Sequence, residues 1–496
     1  MTVPFANITQ LYINGSWQAP SNGHEPIVNP ATEAVIGEAP IGGHPNVEAA
    51  LQAARKAFDE GPWPHLTFGD RIEVIRRLRL GIERRADEIR QLLIAEVGSS
   101  YMMMASAQFQ GALDAIDYAI KLAGDVGPEP SPLSLKKNPF QPGERDLFGA
   151  GVTAYDPYGV VLGITPYNFP FFLNVVKMVP AMLAGNTVVL KPSELTPFSA
   201  LLLGELAEES GVPPGVLNIV TGGLEVGKEL TRDPRVDMVT FTGSDEVGAA
   251  IMKQAAETLK KVHLELGGKS ALIVRHDADV TEAATIAALN ISIHAGQGCA
   301  LLTRHIVHNS LRPAFVETVK AVLATLKIGD PADPEVVVGP LIRESARQKT
   351  ERYVQLGLDS GARLVCGGKR PEGLDRGFFF EPTLFDGVDN GSTLAQDEIF
   401  GPVGVVIGFD DDEEAIRLAN DSRFGLSGAV MSADSAAAYR MALRLRTGGV
   451  AINGGTGDLF LQLPFGGYRR SGLGREFGPG WLKEYMQEKA ITYSVG

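Results

Sequence analysis

The segment GVVLGITPYNFPFFLNVVKMVPAMLAGNTVVLKP, residues 159–192, decides the fold. A run rich in β-branched residues lies at each of its ends, and a longer apolar stretch with helical spacing lies between them. Similar runs follow at 216–223 and 238–244, and the stretch ALLLGELAEESG (200–211) ends in a glycine, as helices often do. Continuous apolar strands that alternate with helices are typical of a parallel sheet covered on both faces. The sequence therefore predicts an α/β domain of the Rossmann-like kind.

A second series of short apolar runs lies in the second half of the chain: SALIV (270–274), HIVH (305–308) and VGVVIGF (403–409). These runs indicate a second α/β domain. The final residues KAITYSV (489–495) alternate in polarity like a strand, but no hairpin partner lies nearby. We therefore expect this strand to pair with another domain or with another subunit.

The first third of the chain is rich in helical patterns. Apolar residues recur at three- and four-residue spacing over 46–59, 71–99 and 105–124, which predicts amphipathic helices. The Pro-rich, polar stretch 127–146 interrupts the pattern, and we interpret it as a connector or an exposed arm.

Length and composition limit the class of protein. A chain of 496 residues is too long for one hydrophobic core, so two or more domains are expected. A net charge of −14 argues against nucleic acid as a partner, because phosphate binding needs clustered Lys and Arg. Only two cysteines occur, which favours reduced thiols over a disulfide framework. The N-terminus lacks the pattern of a signal peptide and no apolar segment reaches about 20 residues, so we predict a soluble cytoplasmic protein without a membrane span.

Cys299 lies among small residues in the segment HAGQGCALLTR (294–304). Small neighbours leave a thiol approachable, whereas a core cysteine usually has bulky apolar neighbours. A thiol with a pKa of ~8.5 is only a few per cent thiolate at pH 7, so a nucleophile here needs a base or a dipole to activate it. A buried structural cysteine is the alternative interpretation.

Glu265 precedes two glycines in the strand-like segment LELGGKS (264–270). A carboxylate is unfavourable in such a segment unless it points to solvent at a sheet edge or acts in a site as a general base. The glycines that follow would let the backbone approach another group closely. Cys299 lies far along the chain from Glu265, so only folding brings the two residues together.

Asn168 directly follows the first predicted strand, in the sequence GITPYNFPF (163–171). Catalytic groups of α/β proteins cluster at the carboxyl ends of strands. The Asn168 amide is suited to donate to an oxyanion, and one such donor is worth about 3 kcal/mol. A turn-forming Asn before Pro170 is the alternative.

Two segments suggest a dinucleotide site. Thr242, Gly243 and Ser244 follow the predicted strand MVTF (238–241) and open a helix that is expected to run to about Lys261, and such a turn at a helix N-terminus is a phosphate site. This is not the usual G-x-G-x-x-G pattern, so the motif alone is weak. Lys191 and Glu194 lie just beyond another strand, where a carboxylate would bind both ribose hydroxyls and repel a 2′-phosphate, favouring NAD over NADP. A Ser193/Glu194 pair that caps the next helix is the alternative.

Metal sites are not expected. Two cysteines cannot build a thiolate zinc site. His305 and His308 are three residues apart in a predicted strand, so their side chains point to opposite faces.

Taken together, these segments resemble the aldehyde dehydrogenase superfamily over almost the whole chain. The resemblance rests on seven motifs in family order: TPYNFP (165–170), GNTVVLKPSELTP (185–197), FTGS (241–244), LELGGKS (264–270), GQGC (296–299), EIFGPV (398–403) and PFGGYRRSGLGREFG (464–478).

The resemblance implies a role for each matching residue. Cys299 would attack the aldehyde, the Asn168 amide and the Cys299 N–H would hold the oxyanion, and Glu265 would activate water to hydrolyse the thioester. Lys177 and Glu476 match positions thought to assist proton transfer. Lys191 and Glu194 would contact the adenosine ribose, Gly243 and Ser244 the pyrophosphate, and Glu398, with Phe400 beside it, the nicotinamide ribose. The full set of implied cofactor contacts is Thr165, Pro166, Lys191, Ser193, Glu194, Gly227, Phe241, Gly243, Ser244, Gly267, Glu398 and Phe400.

The sequence departs from the family pattern at two positions: Tyr167 replaces the usual Trp, and Arg469 stands where Lys is common. The positions that resemble the substrate tunnel are apolar: Phe169, Phe172, Val176, Ile293, Leu459 and Phe465. We therefore expect a medium-sized hydrophobic aldehyde.

The resemblance also implies an architecture: an NAD-binding domain of 1–133 and 153–263, a catalytic domain of 264–481, and an oligomerisation element of 134–152 and 482–496. The arm and the terminal strand favour a homodimer or a homotetramer. Two alternatives to a hydrolytic NAD-dependent enzyme are a relative that passes the acyl group to coenzyme A, against which Glu265 speaks, and a non-enzymatic protein that reuses the fold.

Overall fold

The structure is a computed structural model, and it describes residues 8–136, 147–455 and 460–495. In these residues the α-helices are His44–Asp59 (α1), Phe68–Arg84 (α2), Ala86–Val97 (α3), Tyr101–Met103 (α4), Gly111–Asp125 (α5), Pro170–Leu183 (α6), Phe198–Glu209 (α7), Leu224–Arg232 (α8), Asp245–Ala255 (α9), Val280–Ser292 (α10), Arg312–Thr325 (α11), Glu344–Asp359 (α12), Thr393–Gln396 (α13), Asp412–Asn420 (α14) and Ser435–Ala442 (α15).

The strands of the described residues are Leu11–Ile13 (β1), Ser16–Gln18 (β2), His24–Val28 (β3), Val35–Pro40 (β4), Glu129–Lys136 (β5), Leu147–Pro157 (β6), Val160–Ile164 (β7), Thr187–Lys191 (β8), Leu217–Ile219 (β9), Met238–Thr242 (β10), Lys261–Glu265 (β11), Ser270–Val274 (β12), Leu302–His308 (β13), Arg363–Cys366 (β14), Thr383–Asp386 (β15), Val403–Phe409 (β16), Gly428–Met431 (β17), Ala451–Ile452 (β18), Pro464–Phe465 (β19), Gly472–Leu473 (β20), Glu476–Phe477 (β21) and Met486–Val495 (β22).

The first large sheet has the strand order β2-β1-β9-β8-β7-β10-β11-β20. Its five central strands are parallel, β1 and β20 flank them in the antiparallel sense, and β2 pairs outside β1. Apolar side chains of α6 and α7 pack against one face, and those of α1, α8 and α9 pack against the other. The predicted Rossmann-like α/β domain is therefore confirmed.

The second large sheet has the order β14-β15-β16-β13-β12-β17-β18, and all its strands except β14 run parallel. Helices α10 and α11 cover one face, and α12, α14 and α15 contribute to the core on the other. The prediction of a second α/β unit is confirmed.

A smaller antiparallel sheet joins the terminal strand to the arm, in the order β22-β6-β5. The strand that had no hairpin partner in the sequence pairs with β6 over its whole length, from Met486 opposite Pro157 to Val495 opposite Phe148. The predicted arm 127–146 forms β5 as far as Lys136, and its remainder lies outside the described residues. The division into domains remains a proposal, since β20 comes from the proposed catalytic domain but pairs with β11 of the first sheet.

The helical patterns predicted over 71–99 and 105–124 are confirmed, and the structure adds a detail to each. The stretch 71–99 is not one helix, because the backbone leaves the helical region at Arg85 and separates α2 from α3. The stretch 105–124 begins with a π-helical segment, Met104–Gln110, before α5. Among the described residues, none of the helices has both the length and the apolar character that crossing a membrane requires.

Candidate active site

The strand ends of the first sheet lie side by side because its central strands are parallel and in register. Ile164 is opposite Lys191 and Phe241, and Thr242 is opposite Glu265. The loops that follow these strands carry most of the residues named from the sequence, so the predicted site lies along one edge of one sheet.

Cys299 follows a tight turn at the end of α10. His294 and Ala295 have φ angles of 54° and 52°, which is unfavourable for residues other than glycine, and Gly296 has φ 73°. A methyl group at Gly296 would lie 2.2 Å from the carbonyl oxygen of Gly401, so the turn packs directly on backbone there. Strained backbone of this kind persists only where the surrounding structure holds it.

Gln297 and His294 fix this turn, and sequence reasoning missed both. The Gln297 amide donates to the His294 carbonyl at 3.1 Å and its oxygen accepts from the Ile342 N–H at 2.9 Å. His294 Nε2 lies 2.7 Å from the Asn168 carbonyl oxygen, and burial lowers the pKa of His294 to about 4. The ring is therefore neutral at neutral pH, and Nε2 must carry its hydrogen to bond that carbonyl.

Asn168 lies between β7 and α6 and is bonded to the cysteine turn. Its side-chain Nδ2 donates to the Gln297 carbonyl at 2.8 Å, and its own carbonyl also accepts from Gln108 at 3.1 Å. Asn168 is 3% exposed. One amide hydrogen is thus used to hold the loop two residues before Cys299, and the second remains for a ligand.

Glu265 ends β11 and reaches the cysteine turn through its two glycines. A methyl group at Gly268 would lie 2.7 Å from the carbonyl oxygen of Cys299. The Glu265 side chain is buried, and neither carboxylate oxygen has a hydrogen-bond partner among the described residues. Burial first, and the Glu476 carboxylate second, raise the pKa of Glu265 well above its ordinary value, while Lys177 opposes them.

The Cys299 thiol is also held in its neutral form. Burial raises its pKa to about 12, and the nearby carboxylates of Glu398 and Glu265 act in the same direction. The thiol and Glu265 therefore both favour the protonated state when no ligand is bound.

Lys177 and Glu476 form a buried ion pair beside these groups. Lys177 lies on α6 and Glu476 on β21, and Nζ is 2.5 Å from Oε1. The structure thus brings together five predicted residues, Cys299, Glu265, Asn168, Lys177 and Glu476, that are far apart in the sequence.

The predicted ribose residues follow β8. Lys191 is buried, its Nζ donates to the Pro192 carbonyl at 3.0 Å, and burial lowers its pKa. A methyl group at Gly227 on α8 would contact the Lys191 side chain at 3.6 Å. Glu194 is exposed. The exposed Glu194 carboxylate is accessible to a ligand, and its charge acts on the buried Lys191 ammonium.

The alternative interpretation of this segment as a helix cap does not hold. The Ser193 hydroxyl accepts from the Leu195 N–H within its own turn. The first N–H groups of α7 instead donate to the buried Glu96 carboxylate, from Phe198 at 2.6 Å and Ser199 at 3.3 Å.

The predicted pyrophosphate turn follows β10. Ser244 caps α9, which ends at Ala255 rather than near Lys261. A methyl group at Gly243 would lie 2.3 Å from the Phe241 ring, so a side chain would disturb this close approach. Thr165 lies next to it at the end of β7, where its N–H bonds the Lys191 carbonyl, and Pro166 follows.

Glu398 connects the cofactor residues to the cysteine turn. Its Oε1 accepts from the Gly268 N–H at 3.0 Å, and a methyl group at Gly267 would lie 2.2 Å from its Oε2. Burial raises the pKa of Glu398 to about 7. Phe400, with φ 56°, makes an edge contact with Tyr167 at 6.0 Å between ring centroids.

The predicted substrate residues are only partly grouped. Phe169 packs on His294, with ring centroids 5.0 Å apart, and Phe172 and Phe465 each pack on Phe477 at 6.1 and 6.4 Å. Ile293 is half-buried at the end of α10. Val176 is completely buried in the core around α6, and its place in a substrate tunnel stays a prediction. Leu459 lies outside the described residues.

Within the part of the chain that the structure describes, no group of three or more His, Cys, Asp or Glu side chains is placed to hold a metal ion. His305 instead bonds the Leu302 carbonyl in its own strand.

Comparison with known proteins gives consistent results. The model of the aldehyde dehydrogenase family matches residues 17–491. A putative aldehyde dehydrogenase of Staphylococcus saprophyticus is 39% identical over 489 residues, covering 98% of this chain and 99% of that protein. The structure is similar to the crystal structure of a Mycobacterium tuberculosis aldehyde dehydrogenase complexed with NAD+, with 40% identity, a TM-score of 0.91 and 97% of each chain covered. A Pseudomonas syringae aldehyde dehydrogenase mutant, complexed with NAD+ and octanal, is 35% identical with a TM-score of 0.91, covering 98% of this chain and 96% of that one.

Proposed function

This chain belongs to the aldehyde dehydrogenase family, and from that premise we propose that it uses NAD to oxidise a medium-sized hydrophobic aldehyde to the free carboxylic acid. The observation that carries the proposal is the approach of the Cys299 turn to both Asn168 and the Glu265 strand. Asn168 Nδ2 bonds the Gln297 carbonyl at 2.8 Å, and the backbone at Gly268 passes against the Cys299 carbonyl.

In the first half of the reaction the Cys299 thiol gives up its proton to solvent water, and the sulfur forms a bond to the aldehyde carbon. The carbonyl oxygen becomes an oxyanion, to which the free hydrogen of the Asn168 amide and the Cys299 N–H would donate. NAD would be held by Lys191 and Glu194 at one end and by Glu398 and Phe400 at the other, and when bound it accepts the hydride that leaves the thiohemiacetal carbon.

In the second half, Glu265 accepts a proton from a water molecule that attacks the thioester carbon. The carbon–sulfur bond then breaks, the acid leaves and the thiol is restored. A carboxyl group whose pKa is raised above its ordinary value is a stronger base when ionised than a free carboxylate. This base also favours hydrolysis over acyl transfer to coenzyme A.

Cofactor and substrate preferences have separate support. The exposed Glu194 carboxylate would repel a 2′-phosphate, which favours NAD over NADP. The Phe169, Phe172 and Phe465 rings are apolar, and the related P. syringae enzyme in complex with octanal accommodates an aliphatic aldehyde.

We propose a homodimer or homotetramer in the cytoplasm. The sheet β22-β6-β5 carries exposed apolar side chains, with Leu133 65% exposed and Tyr493 53% exposed, which a partner subunit would cover. The low cysteine content favours a reducing compartment.

The proposal is tested by following NADH absorbance with octanal and NAD. Cys299→Ala should form no NADH while binding NAD as the unchanged protein does. Glu265→Gln should give a burst near one equivalent of NADH per active site, then a slow phase. Turnover by Cys299→Ala would exclude this nucleophile, and a product that forms only with coenzyme A would replace hydrolysis by acyl transfer.

A further inference from the structure

Three buried polar atoms face one another beneath the proposed site. Both carboxylate oxygens of Glu265 and Nε2 of His263 have no hydrogen-bond partner among the described residues, and His263 Nε2 lies 3.6 Å from Glu265 Oε1. The two residues are two apart on β11, so their side chains share one face of the strand. Buried polar atoms are nearly always hydrogen-bonded, and a small side-chain rotation brings this pair within bonding distance.

The His263 ring is fixed by its neighbours. Thr240 is directly opposite it on β10, with the Thr240 hydroxyl oxygen 3.2 Å from His263 Nδ1. A methyl group at Gly474 would lie 2.1 Å from His263 Cδ2, so the Gly474 backbone packs tightly against the ring. The ring therefore has little freedom to turn its Nε2 away from Glu265.

The charges around the ring keep it neutral. Burial, and then the cations Lys177, Lys261 and Arg475, lower the pKa of His263 well below its ordinary value. The charged and titratable groups around Glu265 are the Glu476 carboxylate on β21, the cations Lys177 and Arg475, and the Tyr485 hydroxyl, which lies beside Thr240. A neutral imidazole has one N–H, and if Nδ1 accepts from the Thr240 hydroxyl that hydrogen is on Nε2.

We propose that His263 is a positioning residue for the hydrolysis step, which donates its Nε2–H to the ionised Glu265 carboxylate, and that Thr240 selects the tautomer able to do so. This inference rests on the proposed function. The His263 hydrogen stays on the ring throughout, and Glu265 alone takes the proton from water.

The test compares His263→Leu, which removes the donor, with His263→Gln, which restores an N–H near the Nε2 position. NADH and carboxylic acid are measured separately in the first turnover with octanal, across a range of pH. His263→Leu should keep the NADH burst but release acid about tenfold more slowly near neutral pH, because loss of the hydrogen bond raises the pKa of Glu265 by about one unit. The acid limb, the fall in the rate of acid release at low pH, should move to higher pH by the same amount. His263→Gln should recover most of the lost rate.

Thr240→Val tests the tautomer with a side chain of the same shape, and it should move the limb in the same direction by less. His305→Gln is the matched control, since His305 is completely buried in the second sheet, and its acid limb should not move. An unchanged limb in both His263→Leu and Thr240→Val, or a slowed His263→Leu that His263→Gln does not rescue, overturns the inference. If the unchanged protein forms no NADH from aldehydes, the proposed function itself fails.

Discussion

Replacing Glu476 by Gln should move the acid limb of thioester hydrolysis to lower pH. Lys177 Nζ and Glu476 Oε1 are 2.5 Å apart, with side chains 0% and 2% exposed. The Glu476 charge raises the pKa of Glu265, and the Lys177 charge lowers it. The amide of Gln retains an acceptor for Lys177 but not the negative charge. The Lys177 ammonium then lowers the pKa of Glu265 without an opposing effect of the Glu476 charge.

The expected shift is about one to two pH units. A unit charge roughly 6 Å from a carboxyl group, at an effective dielectric constant of about 20, contributes about 3 kcal/mol, or about two pKa units. The proposed base Glu265 would accept a proton only when ionised, so a lower pKa should extend hydrolysis to lower pH. Lys177→Met should not reproduce this shift, because it removes the cation instead.

The assay is the pH dependence of acid release in the first turnover. Asp386→Asn is the control, because Asp386 is a buried carboxylate paired with Arg312 and Arg363 in the second sheet. The acid limb of the pH profile of this variant should not move. A limb that moves upward in folded Glu476→Gln, or does not move, would refute the electrostatic coupling between Glu476 and Glu265.

Three further outcomes follow from contacts in the structure. Gly267→Ala would displace the Glu398 carboxylate, so it should weaken NAD binding about tenfold in a fluorescence titration, whereas Gly449→Ala, with nothing within 4 Å, should not. Arg304→Met would leave the Lys269, Leu418 and Ala419 carbonyls and the Asn390 amide oxygen without their donor, and should lower the free energy of unfolding by about 3 kcal/mol in urea titrations. Gln297→Leu would release the Ile342 N–H and loosen the cysteine turn, so kcat should fall about tenfold with NAD binding unchanged.

Much of the fold could be predicted because its information is local. The apolar runs that became β7, β8, β10, β12, β13 and β16 are bounded by turn residues in the sequence itself. Parallel pairing then places their carboxyl ends at one edge, which is why residues chosen only for following strands, such as Asn168 and Glu194, lie along the same edge. Their catalytic and binding roles stay predictions.

The remaining features depend on contacts between distant residues. No local pattern shows that His294 bonds the Asn168 carbonyl, or that Thr240 faces His263 across two strands. Helical spacing continues through Arg85, so periodicity alone could not locate the break between α2 and α3. Val176 was assigned to the tunnel by its position in a motif, and because α6 is buried on every side, its apolar character alone does not separate a core residue from a tunnel residue.

The raised pKa of the Cys299 thiol indicates that this site does not stabilise a thiolate in the resting protein. Burial and the Glu398 and Glu265 carboxylates oppose a thiolate, so the resting sulfur is a neutral, weakly reactive thiol. The hydrogen-bond donors nearby are instead the Asn168 amide, fixed at 2.8 Å on the Gln297 carbonyl, and the backbone of the strained turn. In the proposed mechanism, such donors would act on the oxyanion that forms only after the sulfur attacks. Interactions made only in the transition state accelerate the chemical step. This arrangement would therefore stabilise the transition state and not a resting thiolate. The same logic applies to Glu265, because burial disfavours its ionised form and groups that stabilise that charge would assist its proposed role in activating water.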